Sequence, residues 1–185
     1  MKQAIQKPFS VKLFFIMIFC VLGIWRIQIA HPTDTLSIED KREIFKNTIS
    51  TIAERYIGMP LRLGNNLEIS GGLDNSHLFY QIYKMAARQA GLRSIGYMPM
   101  KELLKRTVAV QPNELKNGDL IVLNDSHAAM IYRVEKQDKF CMIYASEKRQ
   151  QVISFNNQNV VFEVYWLENL KGYFRMTEDI FLLQN

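Results

Sequence analysis

The chain has 185 residues, 48% of them hydrophobic and 22% charged. That is enough apolar material for one domain of ordinary size, and it excludes global disorder. The formal charge is +5, but Lys2, Lys7, Lys12 and Arg26 stand without any acid in residues 1–30, leaving about +1 from residue 31 on. A basic excess confined to one terminal segment does not mark a nucleic-acid surface, and no nucleic-acid partner is expected.

Residues 13–25 carry no charge and follow three lysines, the layout of an export signal. A helix of that length spans only ~20 Å, against ~30 Å of hydrocarbon, which favours a signal peptide. Ala30 suits the last position before a cut, but Gln28 is not the small residue preferred two positions earlier. Residues 1–30 are therefore read as a signal peptide or, if uncleaved, as an N-terminal anchor in the inner membrane through residues 13–25. Either way the remainder is delivered to the periplasm or cell envelope. Of the two cysteines, Cys20 and Cys141, the first lies in this segment, so no internal disulfide is expected in the folded part.

Residues 31–37 read as a linker, with Pro32 among small polar residues, and residues 38–185 as one domain. Ser37 and Asp40 have capping-box spacing. Phe45, Ile49, Ile52 and Tyr56 then recur at helical period, and Gly58 and Pro60 end the run. Residues 61–73 form a Gly/Asn-rich loop. A second helix starts near Asn75, buries Leu78, Phe79, Ile82, Tyr83, Ala86 and Ala87, and closes at Gly91. Residues 101–106 suggest a short third helix. From there the pattern predicts strands over 119–123, 127–135, 140–145, 151–155 and 160–165. Helices first and an antiparallel sheet second make an α+β fold.

Five motifs sit in one order along this framework. Tyr56-Ile57-Gly58-Met59-Pro60-Leu61-Arg62-Leu63-Gly64 resembles the Tyr-x-Gly-x-Pro-Tyr-Arg-x-Gly stretch of the NlpC-type cell-wall cysteine peptidases. Asp74-Asn75-Ser76-His77-Leu78 is similar to their Asp-Cys-Ser-Gly-Leu nucleophile motif, and Leu115-Lys116-Asn117-Gly118-Asp119-Leu120-Ile121 to their Leu-x-Pro-Gly-Asp-Leu-Val strand. Ser126-His127-Ala128-Ala129-Met130-Ile131-Tyr132 resembles their His-Val-Gly-Ile-Tyr, and Ile143-Tyr144-Ala145-Ser146 their Ile-His-Ala-Ser. The resemblance covers residues 44–175. It implies a papain-like fold, with N-terminal helices packed on a central antiparallel sheet of about five or six strands, and hydrolysis of peptidoglycan peptides, commonly at the γ-D-glutamyl to diaminopimelate bond.

The resemblance breaks where the chemistry would be. The triad positions it implies are Asn75, His127 and Tyr144, and only the histidine matches. A carboxamide has neither an ionisable proton near neutral pH nor a nucleophilic lone pair, so Asn75 cannot form the acyl-enzyme of this mechanism. Helix capping or hydrogen bonding is its expected role. Ser76 points away from the nucleophile's direction, and Cys141, an odd number of residues from Tyr144 on one strand, lies on the opposite face. Leu61, Arg62, Asp74, Ser76, His77 and Ser126 are expected to border the vestigial cleft. Three scattered histidines without a cysteine cluster predict no metal site, and no Gly-rich phosphate loop points to a cofactor. The expected function is a non-catalytic homologue that binds a peptidoglycan peptide or an envelope protein partner. The alternative is an active cell-wall peptidase, amidase or acyltransferase with an atypical nucleophile and His127 as base.

Overall fold

The first helix, α1 (Ile38–Glu54), begins with the expected reciprocal box: Asp40 N–H donates to Ser37 Oγ at 3.1 Å and Ser37 N–H to Asp40 Oδ2 at 3.2 Å. Its residues Phe45, Ile49, Ile52 and Ala53 are buried, each large side chain contributing about 2 kcal/mol. The structure, a computed structural model, describes residues 36–61, 74–94, 96–125, 127–136, 138–177 and 181–183. The signal or anchor segment 1–30, most of the linker, Arg62 and Ser126 lie outside the described residues. No helix among the described residues is long and apolar enough to cross a membrane.

Helix α2 (Asn75–Gln89) is capped by Asp74, whose Oδ1 accepts the His77 N–H at 2.8 Å. Capping therefore falls to the residue before Asn75, because a carboxylate at this N-cap takes the orphan donor two residues into the helix. Leu78, Phe79, Ile82, Tyr83, Ala86 and Ala87 are buried as expected. Gly91, at φ +67°, turns the chain into β1 (Leu92–Ser94), followed by α3 (Met100–Leu104) and β2 (Thr107–Val110).

The remaining strands are β3 (Asp119–Leu123), β4 (Ala128–Lys136), β5 (Lys139–Ser146), β6 (Gln151–Asn156), β7 (Leu170–Met176) and β8 (Phe181–Leu183). Six of them form one antiparallel sheet in the order β2-β7-β3-β4-β5-β6, while β1 pairs with β8 separately. The period-2 rule divides the sheet cleanly. Leu120, Val122, Ala128, Met130, Tyr132, Ile143 and Ala145 face α1 and α2. Ile121, Leu123, Ala129, Ile131, Phe140 and Met142 face a second core completed by Phe162 and Trp166.

Two expectations fail. Residues 160–165 are not a strand but lead into a wide helical turn, Phe162–Leu167. The Asn159 side chain accepts the Val161 N–H at 2.9 Å and its carbonyl the Phe162 N–H at 2.8 Å. Phe162 and Trp166, four residues apart, then face the sheet together, and this burial outweighs the β-propensity of the valines. The pattern marked neither β2 nor β7 of the six-stranded sheet, and the longer omission is β7. It fills the gap between β2 and β3, partners about 65 and 50 residues upstream.

The Lys116–Asp119 turn is held from several sides. Gly118, at φ +94°, leaves its Cα so close to α1 that a Cβ would lie 2.6 Å from Ile49 Cδ1. Its carbonyl accepts the buried Tyr83 hydroxyl at 2.6 Å. The Asp119 carboxylate, 1% exposed, accepts Arg175 Nε and one terminal guanidinium nitrogen, each at 2.8 Å, and the Lys116 N–H at 2.7 Å. The Gly-Asp pair of the third motif thus ties β3 to β7.

Candidate functional site

Position 75 opens α2, where its side chain reaches across to the sheet. The Asn75 Oδ1 accepts the backbone N–H of Ala145 at 2.6 Å. This amide is available because the β4–β5 ladder ends at the Met130–Ile143 pair, two residues short of it. Val152, opposite Ala145 on β6, uses its own N–H and C=O toward Met59 and Gly58, so this is a non-hydrogen-bonded pair. Asn75 therefore satisfies a donor that neither neighbouring strand takes.

Beside it, Asp74 gathers three donors on one oxygen: the His77 N–H, the Ser76 hydroxyl at 2.7 Å and His77 Nδ1 at 3.0 Å. Burial pushes the Asp74 carboxyl up, but these hydrogen bonds together hold it below its ordinary value. The His77 ring stacks on Tyr97, centroids 4.1 Å apart, and the Tyr97 hydroxyl lies 3.0 Å from Ser76 Oγ. Ser76 is buried and shared between Asp74 and Tyr97, without a hydrogen bond to His77 or His127. Tyr97 carried no motif signal; only folding sets it against the helix start.

His127 precedes β4, with a half-exposed side chain whose Nδ1 lies 3.1 Å from Asp125 Oδ2. Asp125 also accepts the His127 N–H at 3.0 Å, and this hydrogen bond is the main cause holding its carboxyl below the usual range. The imidazole is thus oriented by the residue two positions upstream, through a local turn. Tyr144 instead packs its ring edgewise on Trp166 and Phe155, centroids 5.3 and 5.9 Å away, and burial pushes its phenol up. Tyr144 and His127 both line an open groove of about 920 Å³ at the β5–β6 end of the sheet, together with Phe155, Tyr165, Trp166 and Arg149.

His127 and Tyr144 share the groove, and Asn75 reaches β5 beside it through the amide of Ala145, itself a lining residue next to Tyr144. Of the expected cleft residues, Leu61 is buried in the helix-side core, and Asp74, Ser76 and His77 form the hydrogen-bonded cluster with Tyr97. Asp125, Arg149, Tyr165 and Trp166 were missed. Only Asp125 had a sequence signal, an Asx residue two places before His127. Cys141 is a half-buried free thiol on the helix side of β5, the face opposite Tyr144. Among the described residues, no cluster of metal-ligating side chains occurs.

Among solved structures, the peptidoglycan hydrolase RipB from Mycobacterium tuberculosis superposes with a TM-score of 0.50 at 16% identity, over 88% of this chain and 78% of that one. The fold is the papain-like NlpC/P60 fold. A protein similar to lipoprotein of the NLP/P60 family, from Staphylococcus aureus subsp. aureus Mu50, gives a TM-score of 0.49 at 19% identity over 77% of this chain; the chain spans 43% of that protein's length. No model of a known family matches the chain, and no curated protein does. In the NlpC/P60 fold of this chain the helices of one face carry position 75, and the groove lies at the edge formed by β6.

Proposed function

We propose that this chain is a non-catalytic binding module of the cell envelope, built on the NlpC/P60 fold, that holds a peptidoglycan peptide or a protein partner without cleaving it. Residues 1–30 would export the domain or anchor it in the inner membrane. The observation that carries the reading is position 75. Its side chain is an amide, and its oxygen is engaged by the Ala145 N–H at 2.6 Å. A covalent mechanism needs a polarisable nucleophile beside a base; here the side chain opening α2 serves as a structural acceptor. The buried Ser76 donates its hydroxyl to Asp74, whose carboxyl is held below its ordinary value and is a correspondingly weak base, and it makes no hydrogen bond with His77 or His127. RipB, which shares the fold, is a peptidoglycan hydrolase, and this supports the ligand class.

The test is incubation of the purified chain with muropeptides, following cleavage by mass spectrometry and binding by calorimetry. Binding without cleavage is the expected result. Reproducible cleavage by wild-type protein would instead establish the hydrolase reading with His127 as base, and neither binding nor cleavage would leave the partner to be a protein.

A further inference from the structure

The groove is not confined to one face of the sheet. Residues of both parities in β6 line it: Val152 and Ser154, which point toward the helices, and Ile153 and Phe155, which point the other way. With Tyr144 and Trp166 of the second-core face also in its lining, it runs from that face around the outer edge of the strand. β6 ends the sheet order, so among the described residues that edge has no strand beyond it. The first part of the edge is covered by the chain itself. Gly58 N–H donates to Val152 O at 2.9 Å, Val152 N–H donates to Met59 O at 2.8 Å, and Pro60 bridges Gln151 in antiparallel sense.

These bonds fix which residues of β6 turn their backbone outward. Val152 does, so Ser154, two residues on, does as well. Its N–H and C=O face the groove, and neither has a backbone partner among the described residues. Exposed apolar side chains flank the channel: Ile57 on one bank, Val161 and Tyr165 on the other, each more than 40% exposed. At the β5–β6 turn, Lys148 and Arg149 outnumber Glu147, and neither cation has an ion pair among the described residues.

We propose that the β6 edge docks an extended polypeptide segment of a partner protein. This rests on the binding-module reading and names its partner. The segment continues the antiparallel pairing begun by residues 58–60 and exchanges backbone hydrogen bonds with Ser154. It places apolar side chains against Ile57, Val161 and Tyr165, and an acidic one near Lys148 and Arg149. A donor and an acceptor presented on the same side at strand spacing match a peptide backbone. An acyl chain has no such complement, and the hydroxyls of a sugar ring donate and accept without the regular repeat of a strand. The flanking apolar side chains would be covered by such a strand, which accounts for their clustering.

Full-length protein in detergent is panned against a phage-displayed library of random L-dodecapeptides, and an enriched sequence is synthesised and titrated by fluorescence anisotropy. Ser154→Pro removes the outward N–H without touching the β5 ladder, a position where an edge strand tolerates proline. Ser154→Ala controls for loss of the hydroxyl, which lies 3.0 Å from the Tyr132 hydroxyl. The expected result is binding roughly tenfold weaker for Ser154→Pro and unchanged for Ser154→Ala. Hydrogen exchange at the Ser154 amide of the wild-type chain should slow when the peptide is bound, a readout that does not depend on how the variant folds. Equal binding by Ser154→Pro, no enrichment over wells coated with that variant, or an unaltered Ser154 exchange rate would overturn the proposal. Muropeptides titrated in parallel separate the two readings: if they bind both forms alike while no dodecapeptide does, the module stands and the strand-docking site falls.

Discussion

Asn75 and Ala145 are joined by a 2.6 Å hydrogen bond between a side-chain carbonyl and a backbone amide, across 70 residues of chain. The bond ties the first turn of α2 to the point where β4 and β5 part. Replacing Asn75 by Ala leaves that half-buried amide without its acceptor and should cost about 1–2 kcal/mol. Asn75→Asp keeps an oxygen in place and should lose less. Urea unfolding of the two variants checks this. If both match the wild type, the bond contributes nothing to stability.

Asn75→Cys places a thiol at the start of α2, where the helix dipole favours thiolate. His127 has Asp125 as its partner, while Tyr144, at the third position, packs its ring on Trp166 and Phe155. No gain of muropeptide cleavage is therefore expected from the single substitution. A cleavage product in mass spectra of the variant would show that a thiol at position 75 and His127 suffice with Tyr144 in the third position.

Arg175 and Asp119 should matter more to stability than any residue of the expected triad. Arg175→Met leaves a carboxylate that is 1% exposed with only the Lys116 N–H as donor. Breaking a buried pair from one side costs about 3 kcal/mol or more. The measurement is the shift in denaturant midpoint at constant m-value.

Gly118→Ala should destabilise by about 2 kcal/mol. Two effects add: a φ of +94° that L side chains rarely adopt, and a Cβ 2.6 Å from Ile49 Cδ1. Pairing it with Ile49→Val, which removes that methyl carbon, should recover part of the loss in a double-mutant cycle. No recovery would assign the whole cost to the backbone.

Asp74 sets a pH dependence. Its carboxyl is held below the ordinary value in the folded chain, burial notwithstanding, by the hydrogen bonds from His77 and Ser76. The unfolded state then binds more protons at acid pH, so stability rises with pH in that range. The contribution is fully present above the unfolded pKa of ~4 and is lost as pH falls through the lower folded value. Asp125, depressed chiefly by the His127 N–H, acts in the same sense. Unfolding midpoints from pH 5 to pH 2 should fall less steeply for Asp74→Asn than for the wild type, and parallel curves would contradict this.

Much of the fold can be read from local residues. The Ser37–Asp40 box, the apolar stripes of both helices and the left-handed Gly91 after α2 all appear where their spacing puts them, because each depends on neighbours within one turn. The strands over 119–155 were legible for the same reason, since alternation is a nearest-neighbour property. Residues 160–165, β2 and β7 were not. A run of valines and aromatics is compatible with a strand or a buried helical turn, and only the Asn159 cap and the sheet face beneath Phe162 and Trp166 decide between them.

What the amino-acid order determined by itself is chemical: position 75 is an amide and brings no thiolate for an acyl-enzyme. It also carried five motifs in the order of an NlpC/P60 scaffold. The tertiary structure alone decided what those side chains meet. It set Asn75 on the Ala145 amide, His77 on Tyr97, and His127 and Tyr144 in a groove along β6, because strand register and edge position are settled by pairings between segments far apart in the chain.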